Sequence, residues 1–209
     1  MQIQYFGLSS FKLTGKDTSS IIDPFSKESG LTPPRGSADL VILSEKDSPL
    51  FSYTQSISGQ PFMVDGPGEY DVKGHTITGV PVKDGDRVIT IYLIEIEGVK
   101  ILNLAHLKKL ALTEDQLDDI GEVDIMIVPI GGKDVMDFDE ASKAVNRMEP
   151  KIVIPSCYKI SGLALEFAPE DKFIKEMGGK VEKIDKLSIK KKDLEEEGTK
   201  LVILEPLRS

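Results

Sequence analysis

The order in which β-rich and helical segments follow one another constrains the fold most strongly. Residues 2–104 consist of short β-rich runs separated by glycine and proline, whereas residues 113–204 alternate helix-like and strand-like segments. A series of strands followed by alternating strands and helices favours two packed sheets with helices on their outer faces. The pattern therefore predicts an α+β fold, arranged as a four-layered αββα sandwich of two mixed β-sheets flanked by helices.

The strand predictions rest on short alternating or continuous apolar runs bounded by turn residues. Pro24 ends one such run, and Glu97-Gly98 between two β-rich runs predicts a hairpin. The wholly apolar run at residues 40–43 predicts a strand covered on both faces. The predicted strands are residues 2–6, 10–13, 19–22, 40–43, 62–64, 70–72, 75–80, 88–95, 99–104, 124–129, 151–155, 181–184, 188–189 and 200–204.

Three helices are predicted from their start and stop signals. Thr113 and Gln116 have the spacing of a capping box, and Gly121 supplies a stop. A similar acidic start opens a helix at residues 137–150, which ends at a proline. A proline at the start and two glycines at the end bracket a third helix at residues 169–179.

Length and charge limit the function classes. A chain of 209 residues suits one domain, and we expect residues 1–209 to form it. The net charge of −9 makes nucleic acid a poor partner, because phosphate backbones need a basic surface. No apolar run approaches the ~20 residues of a membrane helix, and no export signal precedes the first strand. The single cysteine, Cys157, fits a reducing compartment, so a cytoplasmic location without membrane contact is expected.

Several segments together resemble the metallo-β-lactamase superfamily, and most closely its small single-domain hydrolase branch that includes ascorbate-phosphate lactonases. Ile22-Asp23-Pro24 is similar to the Asp-Pro that follows the family's third strand. Residues 66–70, Gly-Pro-Gly-Glu-Tyr, resemble a family turn, and residues 129–132 resemble its glycine loop. Residues 152–158 resemble a strand that normally ends in Pro-Met-His-Tyr. The resemblance covers nearly the whole chain and implies the αββα sandwich.

The same resemblance implies a zinc centre whose ligand motifs this chain lacks. In active relatives, histidines and carboxylates at several strand ends hold zinc, which activates a water molecule for hydrolysis. The family motif Ser-His-x-His-x-Asp-His reads Ser-Glu-Lys-Asp-Ser-Pro-Leu at residues 44–50. Lys83 lies where a histidine is expected. Ala105-His106 replaces Gly-Asp, and Cys157 replaces the last histidine.

Four residues at these positions could still meet in one pocket: Glu45, Asp47, His106 and Cys157. Carboxylate, imidazole and thiolate all bind metals, so a relocated single-metal site is one alternative. The other is a vestigial pocket that holds no metal, with Lys46 and Lys83 opposing cation binding. Cys157 activated by His106 would be a nucleophile, but a lone cysteine after a buried strand is more often a small apolar residue.

Two further side chains invite a functional interpretation. Asp23 resembles a functional carboxylate, although before a proline it can also cap its own turn. His75 follows Gly74 at a strand start and is expected at the surface.

These observations lead to three hypotheses about function. The first is a catalytically inactive member of the family that has lost its zinc ligands and has a binding or assembly role, with no cofactor and with an unknown protein partner or self-association. The second is a metal-dependent hydrolase of an ester, lactone or phosphodiester that uses a remodelled site. The third is a small-molecule binder that reuses the old cleft, which ligand-induced thermal stabilisation without chemistry would reveal.

Overall fold

The computed structural model describes residues 1–178, 180–194 and 198–207. The first half consists of strands, as the sequence predicts. They are β1 (Gln2–Gly7), β2 (Ser10–Thr14), β3 (Ser19–Ile22), β4 (Gly36–Ser37), β5 (Leu40–Ile42), β6 (Ile57–Ser58), β7 (Phe62–Val64), β8 (Gly68–Val72), β9 (His75–Asp84), β10 (Arg87–Ile96) and β11 (Val99–Asn103). The predicted hairpin at Glu97-Gly98 joins β10 and β11.

The second half alternates helices with strands, again as predicted. It contains α1 (Glu114–Ile120), β12 (Ile125–Pro129), α2 (Phe138–Met148), β13 (Ile152–Ser156), α3 (Asp171–Met177), β14 (Val181–Ile184), β15 (Lys186–Ser188) and β16 (Lys200–Leu204). The second glycine of the predicted stop after α3, Gly179, lies outside the described residues.

Within the described part of the chain, the strands form two large mixed sheets. The first has the order β15-β1-β2-β3-β5-β7, and the second has the order β14-β16-β13-β12-β11-β10-β9-β8. The first sheet is parallel from β3 to β7, and the second is parallel from β11 through β14 and antiparallel from β8 to β11. This is the predicted α+β sandwich.

The core lies between the sheets and draws on both. Ile3, Phe11 and Ile42 of the first sheet share one buried apolar cluster with residues of the second, among them Ile91 and Ile127. Each of these side chains is fully buried, and removing one from water contributes about 1.5–3 kcal/mol. The sandwich is therefore held by continuous apolar burial between its layers.

The helices start where their capping residues stand. The Thr113 hydroxyl accepts a hydrogen bond from the Gln116 N–H, and the Gln116 side chain accepts one from the Thr113 N–H. Asp137 accepts from the Glu140 N–H at the start of α2, which packs against α3 and β12. These caps satisfy backbone groups that the first helical turn leaves without partners.

One surface prediction is wrong. His75, expected at the surface, is 1% exposed. It begins β9 between β8 and β10, where it pairs with Val72 and Ile96, so the strand pleat turns its ring inward.

No helix among residues 1–178, 180–194 and 198–207 is long and apolar enough to cross a membrane.

Candidate functional site

The carboxyl ends of four strands bring the predicted site residues towards one edge of the sandwich. Asp23 follows β3, Glu45 follows β5, His106 follows β11 and Cys157 follows β13. Strands β3 and β5 are parallel neighbours, and so are β11 and β12, and β12 and β13. Parallel strands end on the same side of a sheet, which is where α/β proteins place their sites.

A cavity of about 410 Å³ lies at this edge. That volume is within the range of small-molecule sites, about 300–1,000 Å³. Its lining combines the polar side chains of Glu45, Arg87 and His106, which contact one another, with apolar side chains from several loops. The lining residues are Glu45, Asp47, Ser48, Pro49, Leu50, Phe51, Arg87, His106, Lys133, Asp134, Val135, Leu165, Glu166 and Phe167.

Glu45 and His106 contact each other in this cavity. The Nε2 atom of His106 lies 3.1 Å from the Oε2 atom of Glu45, and the His106 side chain is 2% exposed. Arg87 lies 3.6 Å from the same oxygen. The hydrogen bond with His106 holds the pKa of Glu45 below its ordinary value, so the carboxylate is ionised and accepts this bond.

Phe51 and Asp84 fix the position of that pair. The Phe51 ring stacks on the His106 imidazole at 4.1 Å between centroids and 18° between planes. Asp84 accepts a 2.8 Å hydrogen bond from Arg87, its neighbour across the β9–β10 turn. The imidazole, carboxylate and guanidinium therefore form one connected group.

Asp23 lies behind the cavity and is fully buried. Its Oδ1 atom accepts a 2.7 Å hydrogen bond from the Ser44 N–H on the neighbouring strand end, so it ties two loops together and does not cap its own turn. Burial raises its pKa from 3.8 to about 6, while the nearby His106 and the Ser44 N–H oppose that rise. The backbone of Asp23 is left-handed, with φ 41°.

Asp47 lies at the exposed mouth of the cavity and takes no part in the pair. Lys46 and Lys83, which were expected to add positive charge near the cleft, do not line the cavity themselves. Lys46 is exposed because it follows Glu45 on the loop, and Lys83 sits on an outward-facing position of β9. The cations that do line it are Arg87 and Lys133.

Cys157 does not line the cavity. It is fully buried in an apolar cluster that includes Leu8, Phe25 and Phe167. Burial raises the pKa of its thiol well above the ordinary value, which keeps the group protonated. The arrangement therefore gives Cys157 the properties of a small apolar residue, and the structure brings together only Glu45, Asp47 and His106 of the four candidates.

The donor atoms at these strand ends differ from those of the zinc centre that the resemblance implies. Within the described ranges, no group of three or more His, Cys, Asp or Glu side chains is placed to hold a metal ion. Glu45 and His106 bond to each other, Asp47 lies at the mouth, and Cys157 is a buried neutral thiol. Structural and catalytic zinc sites need three or four converging ligands. The residues present do not fit that centre.

Comparison with known proteins identifies the family. The family model described as "Beta-lactamase superfamily domain" matches residues 2–156. The chain belongs to this superfamily. A UPF0173 metal-dependent hydrolase from Alkaliphilus metalliredigens is 24% identical over 195 residues, which cover 76% of this chain and 85% of that protein. One from Thermococcus onnurineus is 35% identical over 100 residues, 44% of each chain.

Solved structures agree with this assignment. A protein from Thermotoga maritima, described as a Zn-dependent hydrolase of the metallo-β-lactamase superfamily, superimposes with a TM-score of 0.82 and 28% identity over 98% of this chain and 99% of that one. Igni18, a metallo hydrolase from Ignicoccus hospitalis, has a TM-score of 0.66 at 17% identity over 98% and 95%, and this likeness shows the fold alone. The predicted superfamily and sandwich are confirmed.

Sequence reasoning missed Arg87, Phe51 and Phe167. Arg87 had a usable signal, because an arginine three residues after Asp84 faces it across a two-residue turn. The phenylalanines had none, since their loops meet the cavity only through the tertiary fold.

Proposed function

We propose that this protein is a zinc-independent member of the metallo-β-lactamase superfamily that binds a ligand in its cleft and does not hydrolyse it. The observation that carries the proposal is the contact of His106 with Glu45, joined by Arg87. Glu45 and His106 stand at positions where the family resemblance places metal ligands. Here they are occupied by each other.

Electrostatics supports this proposal. A guanidinium 3.6 Å from the Glu45 carboxylate repels a cation approaching the same oxygen. The thiol of Cys157 is neutral, whereas metals bind the thiolate. Pro49 and Leu50 offer no ligand atoms on their side chains. The remaining donor atoms are too few to replace the zinc ligands of active relatives, and those of Glu45 and His106 already bond to each other.

A binding role is supported by the cavity and by the strand ends that surround it. Asp23, Ala105 and Cys157, which follow β3, β11 and β13, have left-handed conformations with φ 41°, 54° and 50°, and the lining residue Lys133 has φ 59°. Such conformations cost about 1–3 kcal/mol each and cluster at functional sites. A formed cavity beside strained strand ends suits a protein that recognises a ligand there.

Zinc addition and removal test the proposal in solution. Zinc that binds only the native state would raise the melting temperature, by an amount that grows with the logarithm of its concentration relative to its Kd. We expect the melting temperature to be the same in EDTA and in a small molar excess of zinc sulfate. A UPF0173 metal-dependent hydrolase treated in parallel serves as the control. A zinc-dependent rise that His106→Ala abolishes would contradict the proposal.

A second candidate is a hydrolase of an ester, lactone or phosphodiester with a remodelled site. The contact between Glu45 and His106 favours it, because a carboxylate that orients an imidazole is a general-base arrangement. Turnover of p-nitrophenyl esters, a lactone and bis(p-nitrophenyl) phosphate, with and without added metal, tests it. Activity lost on substitution of Glu45, Asp47, His106 or Cys157 by alanine supports this candidate, and its absence from the wild-type protein removes it.

A further inference from the structure

The walls of the cavity are apolar and aromatic. Leu50, Phe51, Val135, Leu165 and Phe167 line it, and all five are buried or half-buried. Phe51 and Phe167 also belong to the apolar cluster beneath the cavity. A ligand that fits these walls therefore has an apolar or aromatic body, because water is displaced from apolar surface when it enters.

The two cations in the lining are already paired with carboxylates. Arg87 lies 2.8 Å from Asp84 and 3.6 Å from Glu45. Lys133 lies 2.6 Å from Glu166. An anionic ligand would have to compete with these carboxylates for each cation, and it would also meet their negative charge.

The carboxylates of the lining are in excess. Glu45, Asp47, Asp134 and Glu166 face only two cations, Arg87 and Lys133. Asp134 is paired from outside the cavity by Lys108, whereas Asp47 has no ion-pair partner in the part of the chain that the structure describes. The cavity therefore carries net negative charge at its mouth and an open carboxylate.

We propose that this cavity binds a small protonated organic amine with an aromatic or apolar body. The body lies against Phe51 and Phe167, and the ammonium group faces the Asp47 carboxylate. The proposal rests on the proposed function, since it assumes that no metal occupies the cleft.

Three probes of nearly the same shape separate charge from apolar contact: 2-phenylethylamine is a cation at pH 7, 2-phenylethanol is neutral, and 3-phenylpropionate is an anion. Each is titrated into the protein by calorimetry at low salt in 1 mM EDTA, so that trace metal does not contribute. We expect the amine to bind saturably, the alcohol more weakly and the carboxylate not at all. Equal binding of all three, stronger binding of 3-phenylpropionate, or no binding of the amine would overturn the proposal.

Matched variants locate the contact. Asp47→Asn is expected to weaken amine binding by roughly threefold to fivefold, as an exposed charge pair allows. Asp118→Asn removes another exposed aspartate, which lies on α1 and does not line the cavity, and should not change amine binding. Equal affinities of the two variants would contradict the assigned contact. The metal content of the same preparation tests the proposed function separately, so amine binding can fail while zinc independence stands.

Discussion

The Nε2 atom of His106 and the Oε2 atom of Glu45, 3.1 Å apart, join the two sheets of the sandwich. Glu45 follows β5 of the first sheet, and His106 follows β11 of the second. Their contact closes the edge where the strand ends of both sheets meet. It also removes two potential donor atoms from the set available to a metal.

Breaking this pair should destabilise the fold. Glu45→Gln keeps the shape but loses the charge that strengthens the hydrogen bond, so we expect the free energy of unfolding at pH 7 to fall by about 1–2 kcal/mol. Because the folded pKa of Glu45 is lowered, this contribution is present above its ordinary value of 4.5 and is lost as the pH falls through the lowered pKa. Urea unfolding at pH 7 and pH 3 measures both effects.

Glu166→Gln is the control for that experiment, because it removes a carboxylate of the same cavity whose side chain is 84% exposed. It should leave the unfolding midpoint unchanged. Equal midpoints for the two variants would show that the Glu45 contact adds nothing to stability.

Asp23 should make the protein more stable as the pH falls from neutral. Its folded pKa is raised from 3.8 to about 6, so the folded state takes up a proton more readily than the unfolded state. The buried negative charge lowers the free energy of unfolding above pH 6, and this destabilisation disappears as the pH falls from 6 to 3.8. A shift of this size corresponds to roughly 3 kcal/mol.

Asp23→Asn removes that charge and keeps an acceptor for the Ser44 N–H, and asparagine tolerates the left-handed backbone. We expect it to be more stable than the wild type at pH 8 and equal to it at pH 3. Asp23→Ala, which loses the acceptor, should be less stable than Asp23→Asn at both. If both variants were less stable than the wild type by the same amount at pH 8, the destabilising effect of the Asp23 charge would be contradicted.

His75 should add an opposite pH dependence. Its ring is buried, and neither ring nitrogen has a hydrogen-bond partner among the described residues. Burial lowers its pKa below 6.5, so its folded form stays neutral and stability is lost as the pH falls below that value. His75→Leu should remove this loss. Unfolding curves of both proteins between pH 5 and pH 8 measure it, and parallel curves would contradict the prediction.

Cys157 should be unreactive in the native protein. It is the only cysteine, so a thiol reagent such as DTNB reports on it alone. Its full burial and raised pKa leave neither access nor thiolate for the reaction. We expect labelling only after denaturation, with a rate that follows unfolding. Rapid labelling of the native protein at pH 7.5 would instead support a nucleophilic cysteine.

The fold was largely predictable because local signals agreed with the final arrangement. The run at residues 19–22 before a proline became β3 with the same bounds, and Thr113 with Gln116 formed the full capping box. The short strands β4 and β6 were not predicted, and the burial of His75 was not predicted either. The position of His75 at a strand start suggested exposure, but it lies on the same face of β9 as Ile77, which packs in the core between the sheets. Which end of that face is covered depends on how the two sheets pack, and the strand alone does not indicate it.

The site was predictable only in part. The strand-end positions of Glu45 and His106 placed them near each other, but the stacking of Phe51 and the pairing of Arg87 depend on loops that are distant in sequence. Cys157 stands at the right strand end, yet its side chain packs into the apolar cluster with Leu8 and not into the cavity. A position in a motif gives the strand end and not the direction of the side chain.

The most direct test of zinc independence is the metal content of protein purified without a metal-affinity tag, measured by elemental mass spectrometry. The account predicts less than about a tenth of an equivalent of any transition metal per chain, since the donor set is too small for a zinc site. One equivalent or more of zinc, lost when His106 is replaced by alanine, would contradict it.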